Sequence, residues 1–225
     1  MKRFALIVAL VLCVPLLAAM TTYQPPHLQD HLSGATVVIG DAEHHAHDGD
    51  AFKASWESPV ATLPTNAGEE TAIGFITPAL PTLIHLTVDA WANDESIFEI
   101  REDPAITLDQ GPVLVPLNRF RSSANISGMN TNESPVPTPG VTTYTVAQAA
   151  AANLAGGTIL HHETLAIGGT GPFASTLNSV ARGEREFILL PSTEYVIILT
   201  TGAANLNDTT HNITLNWYEH SRLVF

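Results

Sequence analysis

The stretch that most limits the choice of fold lies near the C-terminal end, at residues 185–220. Within it Ile213, Leu215 and Trp217 alternate with Asn212, Thr214 and Asn216. A period of two sets one series on a core and the other toward water, the pattern of a half-buried strand, with Tyr218 on the outward side. Residues 195–199 are apolar at every position, as in a strand covered on both faces. Residues 202–210, rich in Asn, Asp and Gly, supply a turn, so the stretch predicts a long closing hairpin. Nothing in it points to chemistry; it specifies a sheet.

The rest of the chain offers partners for that sheet. Short β-prone runs fall at residues 35–39, 52–56, 71–77, 82–90, 97–102, 113–117, 141–146 and 158–167. The run at 113–117 is interrupted by Pro116, and Asp48-Gly49 is a tight-turn dipeptide ahead of 52–56. Residues 122–140 read as an exposed loop and residues 168–179 as a glycine-rich one. The alanine-rich run at 146–154 predicts the one helix of the mature chain, ended by Gly156-Gly157. There is no internal repeat. The fold class expected is all-β: an antiparallel β-sandwich of jelly-roll type with long loops.

With 225 residues, 45% of them hydrophobic, the chain can bury one sizeable core without disulfide staples. Charged residues make up 14%, below the usual level of about a quarter, so Thr, Ser and Asn must carry much of the solubility. Nine Lys and Arg within a net charge of −13 cannot form a broad phosphate-binding footprint, which argues against nucleic acid as a partner. The single cysteine, Cys13, admits no intramolecular disulfide. The Asn-x-Ser/Thr sequons at Asn125, Asn132, Asn207 and Asn212 arise easily in a chain rich in Asn and Thr and carry no weight alone.

The first 20 residues are apolar behind Met1, Lys2 and Arg3, and two readings stand. By pattern they form a secretory signal peptide, although Leu16 or Leu17 occupies the position where a small residue is preferred. The alternative is an uncleaved apolar arm that packs on a partner subunit. A membrane partner enters only if the segment is an uncleaved anchor; as a span it is short and carries Pro15. The expected organisation is this segment (1–20), a linker or arm (21–34) and a single jelly-roll β-sandwich domain (35–225).

Candidate chemistry is thin. His44, His45 and His47 cluster with Asp41, Glu43 and Asp48, and on a strand His45 and His47 share a face, as two imidazole ligands need. Further ligands have to come from elsewhere, for example His161, His162 and Glu163, and the spacing lacks the tight repeats of zinc sites. A solvated or interface-lining polar strand is the preferred reading. His161 and His162 point to opposite faces of one strand. No Gly-x-Ser-x-Gly elbow is present, and Gly168-Gly169-Thr170-Gly171 lacks the Lys-Ser/Thr of a phosphate cradle. No catalytic, cofactor-binding or metal residue is assigned, no cofactor is expected, and the chain is not read as an enzyme. Asn118-Arg119-Phe120-Arg121 holds two of the few arginines, which predicts pairing with carboxylates inside the fold or across a subunit interface.

Seven short motifs then carry a resemblance by their order and spacing: His47-Asp48-Gly49-Asp50-Ala51-Phe52, Ile76-Thr77-Pro78, His85-Leu86-Thr87-Val88, Phe98-Glu99-Ile100-Arg101-Glu102, Asn118-Arg119-Phe120-Arg121-Ser122, Glu186-Phe187-Ile188-Leu189 and Asn216-Trp217-Tyr218-Glu219-His220. Over residues 46–220 the chain resembles a family of tailed-phage virion proteins, the head decoration or cement proteins. The resemblance implies a jelly-roll homotrimer on the outside of the capsid, with the major capsid protein as partner and no active site. The longer region at residues 123–154 departs from the family pattern. An exported product departs from it too, because phage heads assemble in the cytoplasm. The alternative reading is therefore a secreted or surface-anchored jelly-roll module that recognises glycan or a host protein, cleaved near Ala19.

Overall fold

Alternating side chains build two antiparallel sheets in the computed structural model, which describes residues 45–46, 48–59, 63–104, 108, 111–131, 138–152, 154, 156–165, 178–180, 186–202 and 209–221. All of these belong to one unit, Asp41–Phe225. The N-terminal segment, the arm at 21–34, the strand expected at 35–39, His44 and His47 lie outside the described residues. In chain order the elements are β1 (Ala51–Glu57), β2 (Glu70–Ile76), β3 (Thr82–Ala92), β4 (Ser96–Glu102), β5 (Val113–Leu114), β6 (Leu117–Asn118), β7 (Val141–Tyr144), α1 (Val146–Ala152), β8 (Thr158–Leu165), β9 (Asn178–Val180), β10 (Phe187–Leu189), β11 (Glu194–Thr201) and β12 (His211–Ser221).

One sheet runs β10-β3-β12-β1-β6, with β9 also paired to β3; the other runs β5-β7-β2-β11-β4-β8. The pairing is nested: β1 and β3 flank β12, while β2 and β4 flank β11, with β10 beyond β3 and β8 beyond β4. The inner faces meet in one core. Phe52, Leu86, Val88, Ile213, Leu215 and Trp217 come from the first sheet, and Ile73, Phe75, Phe98, Ile100, Tyr195 and Ile197 from the second. Strand β12 shows why the register is fixed. Ile213, Leu215 and Trp217 stand opposite Ala90, Val88 and Leu86 on one side and Trp56, Ala54 and Phe52 on the other. A one-residue slip would turn those three side chains outward, a loss of roughly 6 kcal/mol at about 2 kcal/mol each.

The closing hairpin is corrected by the topology. Strands β11 and β12 lie in different sheets and do not pair. The reason is what covers each face. Tyr195, Ile197 and Leu199 enter the inter-sheet core. Val196 and Ile198 point the other way and pack with Ala72 and Tyr144 beneath Ala149 and Ala152 of α1. A strand apolar on both faces therefore sits where α1 can cover it, whereas β12, polar on alternate positions, forms the centre of the other sheet.

Three loop expectations also change. Pro116 does interrupt the run at 113–117, but the two halves join different sheets, β5 pairing with β7 and β6 with β1. Part of the loop expected to be exposed at 122–140 is buried: Met129 lies in the core, and the Asn130 backbone bridges Ile76 and Pro139. The glycine-rich stretch ends in a strand, β9, paired with β3.

Gly157, in the turn into β8, has φ +71, and a Cβ there would lie 2.4 Å from the Glu102 carbonyl oxygen. Backbone cannot give way as a flexible side chain can. Gly157→Ala is expected to destabilise the fold by about 2 kcal/mol, read from the urea midpoint. An unchanged midpoint would show that the turn can relax.

Candidate functional site on the outer face of the β3–β12 sheet

The polar residues of β3 and β12 that alternate with the core residues form the outer face of their sheet. Register places His85 beside Tyr218 and Tyr218 beside Ala51. Next to Ala51 runs the chain following β6, where the Arg119 backbone N–H donates to the Ala51 carbonyl. Here lies a cavity of about 180 Å³ lined by His85, Thr87, Arg119, Glu186, Asn216, Trp217 and Tyr218.

Its wall is a set of stacked rings. Tyr218 lies 4.5 Å from His45 and 4.6 Å from His85, both nearly parallel to it. His220 follows at 4.6 Å from His85 and 5.7 Å from His45. His85 Nδ1 donates to Glu186 Oε1 at 2.5 Å and lies 2.9 Å from the Tyr218 hydroxyl. On the floor, the Thr87 hydroxyl donates to the Asn216 carbonyl and the Asn216 amide to Asp89. The lining offers charge and hydrogen bonds, but the one hydroxyl of a serine-type nucleophile, on Thr87, is already committed to backbone. Tyr218 is only 9% exposed, so it is no open platform for a sugar ring.

The predicted residues separate. His45 sits in a helical turn rather than on a strand, with Ala46 and Asp48, and joins His85 and His220 instead of His161 or His162. Among the described residues no group of three or more His, Cys, Asp or Glu is arranged to hold a metal ion. His161 packs its ring against Phe98 and Phe187, while His162 donates from the other face to Glu99 at 2.8 Å. Glu99 also accepts two hydrogen bonds from Arg101. Burial alone would raise the Glu99 carboxyl, but the hydrogen bonds from His162 and Arg101 outweigh it and hold the group below the usual carboxylate range. Burial, reinforced by the hydrogen bond to Glu102, pushes the Tyr195 phenol up.

Arg119 and Arg121 depart from the pairing expected inside the fold. Both are exposed, and among the described residues neither has a carboxylate within the 4.0 Å that defines an ion pair; Lys53 is in the same position on β1. Sequence reading did not bring His85, Glu186, Arg119 and Tyr218 together as one site, because their proximity comes from strand register between distant segments. The available signal was their membership in separate short motifs. No family model, curated protein or solved structure matches the chain.

Proposed function

We propose that this chain is a non-enzymatic structural subunit of a virion, a decoration or cement protein that binds the outside of an assembled capsid lattice as a homotrimer. The observation that carries the reading is a convergence. All seven residues lining the cavity belong to the third, fifth, sixth and seventh of the motifs, dispersed from His85 to Tyr218 in the chain. The first motif adjoins them, since Asn118 donates to the Gly49 carbonyl and Asn125 to Asp50. The strand order supports the finer jelly-roll assignment: β1-β12-β3-β10 and β2-β11-β4-β8 are the two four-stranded sheets produced by folding one long hairpin over itself.

The mechanism is mass action. A subunit that binds only the assembled shell stabilises it by RT ln(1 + c/Kd) per site, where c is the concentration of free subunit. Purified chain is expected to co-sediment with shells assembled from the major capsid protein of the same virus, and not with the dissociated protein. It should also raise the temperature at which the shells disrupt. Failure to co-sediment with intact shells overturns the proposal. The polar cavity favours a second reading, a secreted or surface-anchored binding module. Intact mass spectrometry of native protein decides for that one if the mature N-terminus lies near Thr21.

A further inference from the structure

Among the described residues, the two lateral sides of the sandwich differ in charge. Strands β5 and β6 are the outermost strands of their respective sheets, with only Val115 and Pro116 between them, so one continuous segment closes one side. That segment exposes Val113, Val115 (73%) and Leu117, followed by Phe120. Beside it stand Lys53, opposite Leu117, and the exposed Arg119 and Arg121. These are three of the four Lys and Arg among the described residues; the fourth, Arg101, is taken up by Glu99.

The opposite side is bounded by β8 and β10, the outermost strands at the other ends of the same sheets. It carries Glu102, Asp103, Glu163 and Glu186, of which Asp103 and Glu186 are exposed. It also presents apolar side chains, Ile159 (49%) and Ile188 (63%). Among the described residues strand β8 pairs only with β4, so no described strand occupies its far edge.

We infer that copies of this chain associate head to tail, the basic β5–β6 side of one against the acidic β8–β10 side of the next. This rests on the decoration reading for the expectation of a homo-oligomer and names the surfaces that meet. Charge complementarity identifies the occupant. A chain of net charge −13 repels its own copies in most orientations, and the exception brings the unpaired Lys53, Arg119 and Arg121 onto carboxylates. The exposed apolar residues on both sides then supply the buried centre of the contact. Because the two patches are different surfaces, the contact is heterologous, and it forms a closed oligomer only if its rotation closes a ring.

Sedimentation equilibrium on the full chain tests this with two charge reversals, Lys53→Glu/Arg119→Glu/Arg121→Glu and Asp103→Lys/Glu163→Lys. Each alone is expected to weaken self-association at least about tenfold, and combining both reversals in one chain should restore it, because every contact then pairs the exchanged charges. Restoration also shows that the reversed positions are compatible with folding. A monomeric wild type, reversals that leave association unchanged, or a combined variant that does not recover each overturn the inference. An oligomer indifferent to the reversals that still coats shells leaves the decoration reading intact. An oligomer that responds to them but ignores shells does the converse.

Discussion

Urea unfolding followed from neutral pH down to about pH 4 is expected to show a loss of roughly 3 kcal/mol that belongs to His211. The ring is wholly buried, on the first strand position of β12. Its Nδ1 lies 2.7 Å from Thr71 Oγ1 and its Nε2 3.1 Å from Ser96 Oγ. The Ser96 hydroxyl donates to the Asp94 carbonyl, so it accepts from Nε2–H and leaves Nδ1 to accept from Thr71. A histidine from one sheet is thereby tied to β2 and β4 of the other. Burial lowers its pKa from 6.5 to about 4. As pH falls below 6.5, the unfolded chain takes up a proton that the folded chain refuses, so stability drops until the folded ring also protonates near 4. A pKa lowered from 6.5 to about 4 sets the magnitude, at about 1.4 kcal/mol per pH unit and less near 4, where the folded ring is itself half-protonated.

Two carboxylates add to this pH dependence at its acid end, in opposite senses. Glu99, held under the usual range, contributes stability that is lost only as pH falls through its own lower pKa. Glu70, raised mainly by its burial, acts in the opposite sense, because its neutral form suits the fold better. The His211 step is isolated by comparison with His211→Asn, in which the slope between about pH 6.5 and 4 should flatten. Parallel slopes in the two proteins would refute the assignment. At neutral pH, His211→Ala should cost roughly 3 kcal/mol, since it opens a cavity and orphans the buried Thr71 hydroxyl.

The same residues show how far sequence alone reaches. Alternation in β12 and β3 was readable because each residue's direction depends only on its neighbours, and Ile213, Leu215 and Trp217 enter the core as that period requires. The uniform apolarity of residues 195–199 correctly implied two covered faces, but not that α1 covers one of them and so draws β11 away from β12. Parity placed Tyr218 outward; the rings of His45, His85 and His220 packed against it leave the residue buried. Met129, alone in a run of Ser, Asn and Gly, has no period to betray its burial. That Arg119 and Arg121 have no carboxylate partner among the described residues is a property of what surrounds them, which no local pattern records. Local signals therefore recovered strands and faces, while the sheet each strand joins and the polar cavity depended on contacts between distant segments.

Replacing Glu219 with Ala is the other change expected to have a large effect, roughly 3 kcal/mol at neutral pH. Its carboxylate lies at the end of the core, where the loop of residues 122–131 crosses β12, and four donor contacts converge on it. Ser127 Oγ donates at 2.6 Å, the Gly128 backbone N–H lies 3.0 Å from both oxygens, and Trp217 Nε1 donates at 3.1 Å. Position 128 suits glycine because a Cβ there would stand 3.1 Å from both Glu219 and Pro78. The clamp holds down a segment whose next residue, Met129, fills the core and whose Asn130 pairs with Ile76. Without the carboxylate, the indole N–H and the Gly128 amide lose a charged acceptor, and the segment that presents the exposed Ile126 loses its anchor. Glu219→Gln, which keeps one acceptor oxygen but removes the charge, should cost about half as much. Amide exchange separates a local from a global effect. Protection of the Met129 and Asn130 amides should fall more than that of the β3–β12 ladder in Glu219→Ala, because the first is tied to Ser127 Oγ and the second to the Ile76 carbonyl. Equal losses everywhere would mean that Glu219 supports the sandwich as a whole, and unchanged stability would mean that the clamp contributes nothing.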